Sequence, residues 1–192
     1  MKWEAEFGML TTHATSLHVK HTRKGPKKGY FLRVPYIIHP LQVLQRVQRW
    51  GIDDVTPENC DFWKAILYHD AIEDTTATYD YIIGLIGKKA ADIVMELTNT
   101  MDEDSGDYME SFVTKSIEAV VGKIADRLSN VDDFYIDSPN YALRYFHKAD
   151  AVFEVYNRRK DEVISRFGYD VSVKIDENIN AMLGKLADCQ AV

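Results

Sequence analysis

Tyr68-His69-Asp70-Ala71-Ile72-Glu73-Asp74-Thr75 packs four ionisable side chains between His69 and Asp74, at the end of an apolar stretch. Carboxylates at the edge of a core are costly to bury unless a cation offsets them. Adjacent imidazole and carboxylate donors suit a borderline or hard divalent ion. By itself the His69-Asp70 pair serves equally as a surface pair or a helix-terminal hydrogen bond. Three further features favour a metal. His39, in Val34-Pro35-Tyr36-Ile37-Ile38-His39-Pro40, is set between an apolar run and a proline, which gives it a fixed direction. A satisfied core or capping histidine is the plainer use of it. Asp126 lies among Ile124, Ala125 and Leu128 on a segment whose apolar face calls for burial, and a carboxylate near a core needs a cation. An ion pair with Lys123 or Arg127 would serve instead, although adjacent helical residues do not face each other. Asn130, one helical turn beyond Asp126, shares its face.

A second charged cluster has the opposite sign. Lys20, Arg23, Lys24, Lys27, Lys28 and Arg33 follow one another with no acidic residue among them. A local basic loop on an acidic chain suits a small polyanion; a solvated loop is the plainer reading.

The elements that must hold these groups are helical by their periodicity. Leu41, Leu44 and Val47 recur every third residue after Pro40, which suits a first helical position. Thr56-Pro57-Glu58 reads as a cap followed by proline and opens a helix through Phe62, Trp63, Ile66 and Leu67. Ile82, Ile83, Leu85 and Ile86 predict a short helix ended by Gly87, and 88–97 predicts another. After the polar segment 102–107, a long helix is expected to carry Phe112, Ile117, Val121, Ile124, Leu128 and Val131. Ser138-Pro139 predicts the start of one further helix through Leu143, Tyr145, Phe146, Val152 and Val155, and 172–187 is expected to be helical. The stretch 29–35 reads as irregular. No segment sustains apolar and polar alternation, so the expected fold class is all-α and bundle-like.

The composition narrows the function. The chain has 192 residues, 46% apolar and 28% charged, enough for one domain with a sizeable core. No apolar run approaches the roughly 20 residues that cross a bilayer, and the N-terminus shows no secretory h-region. Cys60 and Cys189 form no CxxC pair, so a zinc-thiolate site is not expected and a reducing cytoplasm is the default. With 30 acidic against 23 basic residues the net charge is −7, which disfavours binding to a nucleic-acid polymer. Tyr79, Tyr81 and Tyr135 suit an oligomer interface or core packing equally.

The three segments VPYIIHP, YHDAIEDT and KIADRLSN, in this order, resemble the motifs of HD-domain phosphohydrolases. The resemblance is closer to the hydrolase branch of RelA/SpoT enzymes, especially the stand-alone small alarmone hydrolases, and covers about residues 16–156 of a single HD-type domain expected over 1–192. It implies an all-α HD-domain helical bundle and a metal-dependent hydrolase that removes the 3′-pyrophosphate of guanosine tetra- or pentaphosphate. It implies that His39, His69, Asp70 and Asp126 hold a divalent metal, Mn²⁺ in the family. Two imidazoles and two carboxylates are compatible with Mn²⁺, and with Zn²⁺, Fe²⁺ or Co²⁺ as well. Glu73 and Asp74, each four residues after His69 and Asp70, match the family's acidic pair; they would orient and deprotonate the attacking water or protonate the leaving oxygen. Arg23 and Lys24 match a basic pair that approaches the nucleotide. Asn130 would hydrogen-bond ribose or phosphate. Tyr145 falls near a substrate-contacting tyrosine, and a core aromatic is its plainer use.

This chain departs from the pattern in two places. Ser129 stands where the family often has an aromatic residue, and Tyr30-Phe31-Leu32-Arg33 is a longer, more aromatic approach to the first motif. These departures motivate close variants of the substrate, such as ppApp or the 2′-phosphate of NADPH. Other readings are a nucleotidase of the HD type and a non-catalytic nucleotide sensor. A small phosphorylated nucleotide is the expected partner, with no membrane. A synthetase domain has no room here.

Overall fold

The computed structural model describes residues 3–22, 34–99, 107–137 and 139–188. The described chain is helical, with an isolated backbone bridge between Thr22 and Pro35 and no strand among the described residues. In chain order the helices are α1 (Trp3–Leu17), α2 (Ile38–Arg49), α3 (Pro57–Tyr68), α4 (Ala71–Asp74), α5 (Tyr79–Ile86), α6 (Lys88–Leu97) and α7 (Asp107–Glu110). A 3₁₀ turn (Ser111–Val113) leads to α8 (Ile117–Asp137), α9 (Pro139–His147), α10 (Asp150–Arg158), α11 (Lys160–Phe167) and α12 (Tyr169–Asp188).

Local chemistry accounts for most of these limits. Thr56 accepts a hydrogen bond from the Asn59 N–H at 3.2 Å, with Pro57 at the first helical position of α3. Thr56→Ala is therefore expected to cost about 1 kcal/mol of stability in a urea titration; an unchanged midpoint would show that the cap contributes nothing. Gly87, at φ 86°, ends α5 and opens α6 in a conformation that favours glycine.

The structure corrects four boundaries. Helix α2 starts at Ile38, so Pro40 is its third residue; the first-turn N–H groups have no intrahelical partner, so a proline there loses none. The long helix predicted from Phe112 starts at Ile117. Ser116 interrupts it, its hydroxyl accepting from the Ala119 N–H at 3.1 Å in the manner of a helix cap, while Phe112 sits in the 3₁₀ turn. The helix predicted through Val155 breaks into α9 and α10 at Lys148-Ala149, where the Ala149 N–H turns back to the Phe146 carbonyl at 2.9 Å. The last helix begins at Tyr169, ahead of Ser172. Helix α1 has only Leu10 and Ala14 buried, too sparse a stripe for periodicity to single it out. The irregular reading for 29–35 falls largely outside the described residues, as does most of 102–107; Val34 and Pro35 are non-helical.

Helix α8 is the axis of the core. Every residue from Ala119 to Val131 is buried, and α2, α6, α9, α10, α11 and α12 all pack on it. A Cβ added at Gly122 would lie 3.0 Å from Ile66 Cδ1, so a glycine there makes room for the Ile66 and Phe62 side chains of α3. A helix covered on all sides is ordinarily apolar throughout. Lys123, Asp126, Arg127 and Asn130 break that rule together, all buried on α8. From α2, Arg46 reaches Ser129 Oγ at 3.0 Å, Asp132 Oδ2 at 2.5 Å and Asn178 Oδ1 at 3.1 Å, which fixes α2 against α8 and α12.

Candidate metal centre

Three elements deliver the ionisable groups to one place. His39 lies in the first turn of α2 and His69 follows the last residue of α3. Asp70 completes the turn before α4, and Asp126 projects from the middle of α8. His39, His69 and Asp126 are buried, and each offers one ligand atom within 4.8 Å of the other two. His39 Nε2 is 2.9 Å from Asp126 Oδ1 and 3.7 Å from Asp70 Oδ2. His69 Nε2 is 3.0 Å from Asp70 Oδ2 and 3.7 Å from Asp126 Oδ1.

The tautomer of His69 tests whether these groups suit a cation. Its Nδ1 lies 2.8 Å from the Ile66 carbonyl oxygen, a pure acceptor, which assigns the ring proton to Nδ1. The buried Nε2 then turns a lone pair toward two carboxylates and makes no hydrogen bond among the described residues. Acceptors facing acceptors repel, so the place between Nε2 and the carboxylates calls for a proton or a metal cation. A histidine whose far nitrogen donates to a backbone carbonyl is also the usual arrangement of a metal ligand. The donor set, two imidazole nitrogens and two carboxylates, thus fits a divalent ion.

Electrostatics around the cluster point the same way. Burial by itself raises Asp126, but Lys123, with Nζ 3.2 Å from Oδ2, and the two histidines hold it well below the usual carboxylate range. Burial pushes His39 down despite Asp126. Burial also opposes charge on His69, yet Asp70 and Asp126 outweigh it and hold the ring well above its ordinary value, which favours a second proton, on Nε2, wherever no ion takes that place. Asn130 Nδ2 donates to Asp126 Oδ1 at 2.7 Å. Asp126 is thereby held from both sides, one oxygen toward the histidines and Asn130, the other toward Lys123.

The cluster opens into a cavity of about 580 Å³ whose lining includes Glu73, Asp74, Lys123, Arg127, Asn130 and Tyr145. Glu73 and Asp74 stand exposed on α4; the Asp74 N–H bonds back to the Asp70 carbonyl at 2.8 Å, so the acidic pair stays one turn from the His69-Asp70 junction although α3 itself has ended. Desolvation at the cavity wall raises both carboxyls, helped for Asp74 by the charge of Asp70. Glu73 Oε2 accepts the Asn99 N–H at 2.9 Å. Tyr145 packs edge-on against Phe134 at 5.1 Å and lies 4.1 Å beneath the Arg127 guanidinium, so it is both packed and cavity-lining. Arg23 and Lys24 lie outside the described residues, with Lys27, Lys28 and Arg33.

Three cavity residues have no part in catalysis or ligand binding in the sequence reading. Lys123 is visible there only as an alternative partner for Asp126, and its three-residue spacing was the available signal. Arg127 joins Tyr145 rather than Asp126. Tyr36, three residues before His39, donates its hydroxyl to Asp70 Oδ2 at 2.5 Å. Burial and the adjacent Asp70 push its phenol far above its ordinary value, which keeps it a donor.

Fold and site together define an all-helical domain with two histidines and two aspartates gathered at one cavity. No protein-family profile matches the chain. In structure it is similar, with a TM-score of 0.70 over 92% of this chain and 95% of the other, to a protein described as a metazoan ortholog of SpoT that hydrolyzes ppGpp and plays a role in starvation responses; sequence identity is 22%. In sequence it is 33% identical over 125 residues to the guanosine-3′,5′-bis(diphosphate) 3′-pyrophosphohydrolase MESH1 of Xenopus tropicalis, covering 62% of this chain and 64% of that protein. Against MESH1 of Drosophila melanogaster the values are 26% identity, 70% of this chain and 73% of the relative. A guanosine-3′,5′-bis(diphosphate) 3′-pyrophosphohydrolase of Aquifex aeolicus is 30% identical over 124 residues, 61% of this chain but only 16% of that longer protein. The chain resembles the stand-alone small alarmone hydrolases. No helix among the described residues is long and apolar enough to cross a membrane.

Proposed function

We propose that this chain is a metal-dependent pyrophosphohydrolase that removes the 3′-pyrophosphate of (p)ppGpp or a closely related alarmone such as ppApp. The observation that carries the reading is the convergence of His39, His69, Asp70 and Asp126, of which His39, Asp70 and Asp126 line a cavity that also bears a carboxylate pair and buried cations. The names of the relatives supply the substrate class. The same reading takes the chain as one hydrolase domain acting on a small nucleotide in the cytoplasm, away from membranes and nucleic-acid polymers.

His39, His69, Asp70 and Asp126 would hold the ion; Mn²⁺ is the one that the resemblance to alarmone hydrolases implies, and this nitrogen and oxygen donor set is compatible with it. When bound, it supplies Lewis-acid charge to the phosphoryl group and acidifies water. The remaining work belongs to side chains. Water attacks the phosphorus joined to the ribose 3′-oxygen, and the phosphorus–oxygen bond to that oxygen breaks. One carboxylate of the Glu73-Asp74 pair takes the water's proton, and the other, in its acid form, gives one to the leaving 3′-oxygen. Their raised pKa values favour holding that proton. Lys123 and Arg127 offset phosphate charge from the α8 side, and Asn130 holds Asp126. Tyr145 offers a ring to the nucleoside, and Arg23 and Lys24 are the basic pair that the resemblance assigns to the nucleotide.

The test is incubation of the purified protein with ppGpp and Mn²⁺, with guanosine diphosphate and pyrophosphate separated by ion exchange. Glu73→Gln and Asp74→Asn are expected to lower kcat by about 10²–10⁴ each. Intact ppGpp after prolonged incubation with metal overturns the assignment. Preferred release of orthophosphate from NADPH or nucleoside monophosphates moves it to another HD-type phosphohydrolase.

A further inference from the structure

Of the four groups facing one another in the centre, Asp70 has the least support from its own element. It sits in the turn between α3 and α4 and its side chain makes no cap bond to α4. Its side chain is 18% exposed, against 7% for Asp126 and 3% or less for the histidines. Asp126 is held by Lys123 and Asn130, and His69 by the Ile66 carbonyl. Among the described residues, the side chain that donates a well-formed hydrogen bond to Asp70 is Tyr36, at 2.5 Å.

Tyr36 is itself held on several sides. Its ring stacks on the buried His18 with centroids 4.8 Å apart and planes at 25°, and meets the His39 ring edge-on at 6.0 Å. Its N–H donates to the His21 carbonyl at 3.3 Å, and its own carbonyl accepts from the His39 N–H at 2.9 Å. One residue therefore touches the backbone of one proposed ligand and the carboxylate of another, on segments that the fold alone brings together.

We infer that Tyr36 is a positioning residue of the centre, bracing the Asp70 carboxylate against His39 so that the donor set is formed before an ion arrives. This rests on the metal reading above. The hydroxyl removes the rotational freedom of Asp70, and the His18 stack removes that of the hydroxyl. Partners of this kind, one step removed from a metal, typically govern about 10- to 100-fold in affinity.

The experiment compares the metal-free wild-type protein with Tyr36→Phe, which keeps the ring and its stack and loses only the oxygen. Mn²⁺ and Co²⁺ are titrated into each against a chromophoric chelator, and the metal-free melting temperature is recorded beside them. The expected result is an affinity lowered about 10- to 100-fold with metal-free melting unchanged. Equal affinity in the two proteins overturns the role of Tyr36 and leaves the centre standing. A loss of affinity matched by an equally destabilised metal-free protein also overturns it, because packing would then be the cause. Failure of the wild type to take up either ion overturns both readings.

Discussion

Asp70→Ala and Asp126→Asn proteins are expected to retain no stoichiometric divalent ion after dialysis and to lose about a thousandfold or more in alarmone turnover. The magnitude follows from what a Lewis acid contributes to phosphoryl transfer, several kcal/mol, at about 1.4 kcal/mol per factor of ten. The two variants separate chemistry from folding. Asp126 is the carboxylate beside buried Lys123, 3.2 Å away, so neutralising it leaves a buried ammonium without its counter-ion, at a cost of about 3–5 kcal/mol. Asp70 lies in a turn with its side chain 18% exposed, and its removal leaves beside it, as a cation, only His69, an imidazole that can shed its proton. Asp70→Ala should therefore lose metal and activity while melting near the wild type, whereas Asp126→Asn should lose stability as well. Elemental analysis, steady-state kinetics and a thermal melt on each protein check the triad of outcomes; full activity in Asp70→Ala would remove the basis for the centre. The acid limb carries a further signature. Asp126 is held below the ordinary carboxylate range in the folded chain, so its stabilisation is complete above about pH 4 and is lost as the pH falls toward the depressed folded value. The asparagine variant lacks that contribution to acid unfolding.

Phe62→Ala is expected to be the most damaging change away from the cavity, costing about 3–5 kcal/mol. Phe62 is fully buried on α3, packs against Phe167 at 5.6 Å, and its Cε2 comes within 3.5 Å of the position a Cβ would take at Gly122 on α8. Removing the ring opens a cavity where side chains of α3, α8 and α11 meet. For a chain of this size the loss corresponds to a fall in melting temperature of roughly 10 °C or more. Since His69 directly follows α3, metal affinity should weaken as well, though less than in Asp70→Ala. A shift in urea midpoint equivalent to under about 1 kcal/mol would show that the core relaxes around the lost ring.

Several features of the fold were legible residue by residue because their causes are local. The start of α3 follows from Thr56-Pro57 and the break between α5 and α6 from Gly87, and the bodies of α2, α3, α6 and α8 follow from apolar residues returning every third or fourth position. Ser116 was an available cap signal, outweighed by apolar spacing that runs across it. The break at Lys148-Ala149 carries no proline or glycine and depends on how α9 and α10 pack, which spacing does not encode.

The same division runs through the candidate centre. Ligand-type residues, their neighbours and the acidic pair on α4 are properties of short segments, and their order along the chain carries the resemblance to alarmone hydrolases. That His39 and Asp126, 87 positions apart, meet at 2.9 Å was decided by the packing of α2 on α8. The positions of Lys123, Arg127 and Tyr36 around the cavity were decided there too. Burial explains the difference: a side chain's type and its neighbours set what chemistry it can do, but which charges are drawn out of water together, and so must compensate one another, is settled only when distant helices close over them.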